Sequence, residues 1–293
     1  MKSGFIAILG RPNVGKSSIK NYFVGEKVAI VSSKAQTTRS RILGIANPEG
    51  AQLVFADTPG IHKPRTRLGE YMVKAATDAR DGVDAVLVVV DATFIGAGDK
   101  RIMESVRDMP VPKILAINKT DIANPEALMP VLKELDVSGF NDVVSISAKK
   151  GTNMQVLLNK LVAAMPEGPQ YFPPDMITDQ PERLMIAEII REKALYNLKD
   201  EIPHGIGVEM LSIKKLSDTL TEIHANIYCE REAHKGIIIG RQGAMLGRIG
   251  SSARIDIEKL MGTKVALKLW VKVREDWRNR AGDLKTLGYF DEE

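Results

Sequence analysis

Two hydrophobic patterns divide the chain. In the first half, apolar residues fall in short unbroken runs: "FIAILG", "AVLVVVD", "KILAINK" and "VVSISA". Runs this short, with no polar face of their own, fit parallel strands covered on both sides. "QLVFADTPG" is a further strand, and "KVAIVS" or "SRILGIAN" supplies an edge strand. Between the runs lie segments with helical spacing: "KSSIKNYFVG", "LGEYMVKAATDARDG", "DKRIMESVRD" and "EALMPVLKELD". This alternation of strand and helix predicts a doubly wound, mostly parallel α/β sheet over residues 1–166.

The pattern changes at "MPEGPQYFPPDMITDQP", where five prolines in residues 165–181 oppose helix and favour extended backbone. Residues 167–180 are expected to link to a second domain over 181–293. "PERLMIAEIIREKALYNL" reads as a helix with Pro181 near its start, where a missing N–H costs little. "GIGVEMLSIKKLS" and "TEIHANIYCERE" read as strands, "HKGIIIG" as a short helix or turn, and "AMLGRIGSSARIDIEKLMG" as a helix weakened by Gly247 and Gly250. In "KVALKLWVKVRE" the alternation is strict. Val265, Leu267, Leu269, Val271 and Val273 face one way, and Lys268, Lys272 and Arg274 face the other. "WRNRAGDLKTLGYF" supplies a closing helix. The order α-β-β-α-α-β predicts an α+β layer with its helices on one face.

Composition fits this division. A length of 293 residues suggests two domains, and 44% hydrophobic residues suffice for two cores. No run of 18 apolar residues offers a membrane span, and "MKSGFIAILG" lacks the apolar stretch and cleavage site of a secretory signal. The single cysteine, Cys229, excludes an internal disulfide, fits a reducing compartment and sits where a small core residue is expected. A cytoplasmic protein is expected. The net charge of +4 is unevenly spread. Residues 231–285 hold 13 Lys or Arg against 6 Asp or Glu, whereas residues 175–230 hold 6 against 11. Positive charge therefore gathers in the 231–285 segment, which suggests a phosphate-rich partner; charge alone fits an ordinary solvated face equally well.

The chemistry of the first half starts at "GRPNVGKS". It matches G-x-x-x-x-G-K-[S/T], follows a strand and precedes a helix. Gly10, Arg11, Pro12, Asn13, Val14 and Gly15 form a loop whose N–H groups wrap a polyphosphate. Lys16 brings a point charge to the β and γ phosphates, the Ser17 hydroxyl suits Mg²⁺, and Ser18 follows on the helix. "DTPGI" ends another strand: Asp57 would hold Mg²⁺ through water, and the Gly60 N–H would meet the γ-phosphate, with Thr58, Pro59 and Ile61 around them. Thr38 in "QTTR" is the candidate to close over the metal. In "NKTD", Asn118 and Lys119 lead to Asp121, whose carboxylate accepts both the N1–H and the N2 amino group of guanine and so selects GTP over ATP. In "SAK", Ser147, Ala148 and Lys149 place a backbone N–H against the guanine O6. Each short motif is weak alone. Their order after successive strands is specific.

These motifs resemble the translation-factor-like GTPases. The Asn-Val pair of the phosphate loop, "DTPGI", "EIIREKALYNLKDEIPHGIGVEM" and "KLWVKVREDW" are similar to the Era family over nearly the whole chain. The resemblance implies a monomeric, cytoplasmic bacterial GTPase that uses GTP/GDP and Mg²⁺, with K⁺ held near Asn13. It implies a KH-like second domain that binds single-stranded RNA near the 3′ end of the small-subunit ribosomal RNA. It also implies a role in maturing that subunit and a peripheral association with the inner membrane. Two positions depart from the family pattern: Ser18 stands where Thr is usual, and Lys20 where an apolar residue is usual.

The α-β-β-α-α-β order, with "GRQG" between two helices, is that of a type II KH domain. Gly240 and Gly243 would let a nucleic-acid backbone lie close, and Arg241 and Gln242 would face it. Lys235, Gly236, Ile239 and Arg248 would complete the contact, and Ile237 and Ile249 would join Ile239 in a groove for bases. A plain helix joint is the competing explanation of the glycines. His62 is expected to be a switch residue rather than a general base, and His224 and His234 to be surface residues. Trp270 either stacks a base or packs on the closing helix. Two rival functions remain. A GTPase of tRNA modification would carry a reactive cysteine near its C-terminus, where this chain reads "LGYFDEE". A pure RNA-binding module would not need Lys16, Ser17, Asp57 and Asp121 intact.

Overall fold

The computed structural model describes residues 1–26, 28–29, 42–57, 82–124, 126, 129–130, 132, 135–198 and 202–289. These residues divide into two compact units, the first running to Asp179 and the second starting at Gln180.

In the first unit the elements are β1 (Lys2–Leu9), α1 (Lys16–Val24), β2 (Ile42–Ala46), β3 (Ala51–Asp57), β4 (Ala85–Asp91), α2 (Ala97–Val106), β5 (Lys113–Asn118), β6 (Asp142–Ser145) and α3 (Met154–Ala164). The sheet order is β2-β3-β1-β4-β5-β6. Only the edge pair β2–β3 is antiparallel. "SRILGIAN" therefore supplies the edge strand. The helix expected over 68–82 lies outside the described residues, and the one over 126–136 lies there in part. The unbroken apolar runs have a direct cause: Ile6 and Ile8 of β1 enter one core, while Ala7 and Leu9 enter another on the opposite face. The parallel register sets Ile8 beside Asp57 and Asp91 beside Asn118. The carboxyl ends of four strands thus share one edge, where ligands of open α/β sheets bind.

The proline-rich segment lies along the first unit. Ile45 N–H donates to Ile177 O at 2.9 Å, and Thr178 Oγ1 donates to Leu43 O at 2.7 Å. The buried Gln52 side chain accepts from the Tyr171 and Phe172 N–H groups and donates to Phe172 O. The segment thereby satisfies the outer edge of β2. Lys20 of α1 is fully buried, and a Cβ added at Gly44 of β2 would lie 2.7 Å from its Cγ. The lysine stem fills the apolar position it occupies, and Gly44 leaves it room.

In the second unit, α4 (Glu182–Asn197) is followed by β7 (Gly207–Ser217), β8 (Leu220–Cys229), α5 (Glu232–Ile239), α6 (Ala244–Met261), β9 (Lys264–Val273) and the short α7 (Ala281–Thr286). The sheet order is β7-β8-β9, with β7 antiparallel and β9 parallel to the central β8. Ile223, Ala225 and Ile227 of β8 meet Ile186 and Ile190 of α4, Ile238 of α5, and Ile249, Ala253 and Ile257 of α6 in one core. Cys229 belongs to the same core, and burial pushes its thiol pKa up. Trp277 packs fully buried against the closing segment, with its indole N–H on Gly205 O at 2.9 Å.

Candidate nucleotide site and nucleic-acid interface

The phosphate loop runs from the end of β1 into α1, and its glycines are there for space. Gly10 has φ 156° and Gly15 φ 104°. A Cβ on Gly10 would meet Val89 O at 2.4 Å, and one on Gly15 would meet Asn118 Nδ2 at 2.2 Å. Asn13 also takes a left-handed conformation, φ 65°, which Asn tolerates better than most residues. The buried Lys16 ammonium lies across the loop, donating to Gly10 O at 3.0 Å and Arg11 O at 2.9 Å. Pro12 and Ser18 are half-buried and Val14 is buried.

Asn118 joins three motifs. Its Nδ2 donates to Val14 O at 2.9 Å, and its Oδ1 accepts the Ala148 N–H at 3.0 Å. One side chain at the end of β5 therefore ties the phosphate loop to both base-recognition segments. Asp121 is exposed and accepts from Ser147 Oγ at 2.7 Å. That hydroxyl, before any other group, holds the Asp121 carboxyl below its ordinary range. Lys149 is exposed beside it. Lys119 takes φ 67°, and its ammonium pairs with Asp91 at 2.6 Å. Ser17 lies in the first turn of α1 and Asp57 closes β3. Thr38, Thr58, Pro59, Gly60, Ile61 and His62 lie outside the described residues.

Two further carboxylates were not legible as part of this site. Asp91 holds Lys119, as above. Asp99 of α2 is 1% exposed and accepts from Arg11 Nε at 2.7 Å and from the Gly96 N–H at 2.9 Å. Arg11 also donates to Phe94 O and lies over the Phe94 ring, 5.2 Å from its centroid. Both acids fall in "DATFIGAGD", which matches no phosphate or base motif.

In the second unit, α5 ends at Gly240, with φ 73° and ψ 172°, a region open essentially to glycine alone. Gln242 and Gly243 follow in left-handed conformations, φ 50° and 80°. The turn exposes Arg241 and Gln242. Arg248 is exposed one turn into α6, and neither arginine makes an ion pair among the described residues. Lys235 is half-buried near Glu232, Gly236 is exposed and Ile239 is half-buried. A groove runs from Gly243 between α6 and the edge strand β9, past Leu246, Gly247, Gly250, Arg254, Lys268 and Leu269. Ile249 does not line it: the residue is fully buried in the core, because its neighbours Gly247 and Gly250 take the groove-facing positions. These glycines stand at helical i, i+3 spacing, the signal that marks a shared face. His224 and His234 are half-buried rather than surface residues, since neighbouring strands and helices cover part of each. Trp270 is 42% exposed and meets His224 edge-on at 5.3 Å, so Trp277 alone of the two tryptophans packs on the closing segment.

Residues 5–119 match the profile of a family described as "50S ribosome-binding GTPase", and residues 201–278 match that of the KH domain. The chain is 54% identical to GTPase Era of Alkaliphilus metalliredigens, over 98% of this chain and 99% of that protein. It is 52% identical to GTPase Era of Clostridioides difficile, over 99% of each. The chain belongs to the Era family of GTPases. Its fold agrees over both units: a crystal structure of Era with MgGDPNP and nucleotides 1506–1542 of 16S ribosomal RNA has a TM-score of 0.93 at 40% identity, covering 99% of each chain. A variant of Aquifex aeolicus Era bound to GDP and AlF4⁻ gives 0.91 at the same identity and coverage. Both family domains, the P-loop GTPase and the KH domain, are thus present in this chain.

Proposed function

We propose that this chain binds and hydrolyses GTP and uses that switch while it holds single-stranded ribosomal RNA near the 3′ end of the small-subunit RNA, in assembly of the 30S subunit. The observation that carries the proposal is one chain with two built sites. One is the guanine pocket organised by Asn118, Asp121 and Ser147; the other is the exposed Gly240–Gly243 turn at the head of a groove, with Arg241 and Arg248 unpaired among the described residues. Residues 1–166 form the GTPase domain in this proposal, 167–180 the connection and 181–293 the RNA-binding domain. The protein works as a monomer in the cytoplasm, with a peripheral membrane association implied by family resemblance. No helix among the described residues is long and apolar enough to cross a membrane.

Asp121 reads the guanine edge and the Ala148 N–H meets its O6. Lys16 moves its ammonium from the loop carbonyls to the β and γ phosphates. Ser17 and Asp57, with Thr38, suit Mg²⁺, which keeps several waters and takes one or two protein oxygens. When bound, the ion offsets the charge of the phosphates. Gly60 offers its N–H to the γ-phosphate. Position 61 is Ile, which cannot orient water by hydrogen bonding, so hydrolysis is slow; Asn13 helps to hold K⁺, and replacing K⁺ by Na⁺ lowers turnover. Lys235, Gly236, Ile239, Arg241, Gln242 and Arg248 contact RNA.

The test is a titration of labelled single-stranded RNA from the small-subunit 3′ end, at two salt concentrations, beside a GTP titration. Arg241→Asp combined with Gln242→Asp sets two negative charges at an exposed turn. RNA affinity should fall and its salt dependence flatten, because fewer counterions are released, while GTP affinity holds. Unchanged RNA affinity in the folded double variant would reduce the turn to a helix joint.

A further inference from the structure

The sheet of the second unit has a face that the helices do not cover. Ile223, Ala225 and Ile227 of β8 point into the core, so the alternate residues Glu222, His224, Asn226 and Tyr228 point away from it. Register sets Lys268 beside His224, Trp270 beside Asn226 and Lys272 beside Tyr228. On β9, Lys268, Trp270 and Lys272 are all exposed. They recur every second residue, about 6.7 Å apart, on one face of an edge strand that also borders the groove beneath the Gly240–Gly243 turn, which Lys268 helps to line.

Two observations make this more than a solvated face. An exposed tryptophan between two lysines combines a stacking platform with phosphate contacts, the pairing that single-stranded nucleic acid requires. The acids nearby are already engaged: Glu222 takes Lys268 at 2.7 Å, and Glu209 takes Tyr228 and Asn226 at 2.6 and 2.8 Å. Lys272 makes no ion pair among the described residues, and neither does Lys214 across the sheet.

We propose that the open face of β9 is a second RNA subsite, in which a strand leaving the groove passes over the edge of the sheet and stacks a base on Trp270, with a phosphate at Lys272. The inference rests on the RNA-binding reading above and extends it from the groove to the adjoining open face of the sheet. A KH turn and groove clamp about four nucleotides, so only a longer strand can reach Trp270.

The chain has two tryptophans, and Trp277 is fully buried, so fluorescence quenching on RNA binding reports Trp270. A tetranucleotide and a 12-nucleotide RNA of the same sequence are titrated into the full chain. The 12-mer should quench the emission and the tetramer should not. Trp270→Ala should weaken the 12-mer roughly five- to tenfold and leave the tetramer unchanged, since stacking contributes per base. Trp270→Phe should restore most of the 12-mer affinity, and Lys272→Glu should lower its salt slope by about one. A 12-mer that binds without quenching and is indifferent to Trp270→Ala would overturn the subsite and leave the face to another occupant. Equal loss for both lengths would also overturn it, by making Trp270 part of the groove. A parent chain that binds neither length would instead remove the RNA-binding reading, and this inference with it.

Discussion

Asp121 shows how one side chain carries a choice of substrate. Its carboxylate is exposed, so what fixes it is the Ser147 hydroxyl on the adjacent base-recognition segment. Asp121→Asn exchanges an acceptor for a group that is half donor. GTP affinity should fall roughly tenfold or more, and xanthosine triphosphate should gain, because its carbonyl accepts what the amide donates. Equal GTP affinity in parent and variant would take Asp121 out of the base pocket. The acid limb of nucleotide binding tests the Ser147 contact. Because that hydroxyl holds the Asp121 pKa below its usual value, the carboxylate survives to lower pH, and binding is lost as pH falls through the lowered pKa. Ser147→Ala should move that limb upward, toward the ordinary aspartate value near 3.9. A nucleotide titration from acid to neutral pH reads the shift, and an unmoved limb would mean that the hydroxyl does not govern it.

At the scale of elements, two glycines of the same turn do different work. A Cβ on Gly240 would lie 2.8 Å from the backbone N of Met245 in α6, whereas one on Gly243 would meet nothing within 4 Å. Gly240 is therefore required by the fold, and Gly243 only by its φ of 80° and by whatever approaches. Gly240→Ala should destabilise the second unit by about 1–3 kcal/mol. Gly243→Asn, which tolerates the left-handed region, should leave denaturant stability nearly unchanged yet lower RNA affinity, because its bulk stands where the strand passes. Loss of stability in both variants would make the turn purely structural. The same distinction explains what was legible beforehand. The phosphate loop, Asn118 and the turn could be read because local spacing fixes their geometry. Gln52 binding the proline-rich segment, and Asp99 binding Arg11 across 88 positions of sequence, could not, because only the folded sheet brings those partners together. The Arg11–Asp99 pair suggests its own test. Asp99→Ala should cost about 1.5–3 kcal/mol of stability and lower GTP and GDP affinity by similar factors, since it loosens the loop and touches no γ-phosphate. A loss confined to GTP would contradict that role.

The whole molecule is two units on one chain, each with its own hydrophobic core clusters. Ile6, Leu87 and Leu157 belong to clusters drawn from the first unit, and Ile190, Ile227 and Ile257 to a cluster drawn from the second. A ligand that binds only the native first unit should stabilise that unit alone. GDP at about a hundred times its Kd contributes about 2.7 kcal/mol by mass action. For a unit of this size that should raise the unfolding temperature by on the order of 5–10 °C. Calorimetry should therefore resolve two transitions, with GDP moving one and Gly240→Ala lowering the other. The two perturbations should add in the combined sample, since no described core cluster draws residues from both units. A single transition that both perturbations shift together would mean that the units unfold as one cooperative body. A nucleotide bound at Lys16 could then reach the Gly240–Gly243 turn through stability alone, with no change in the contacts of either site.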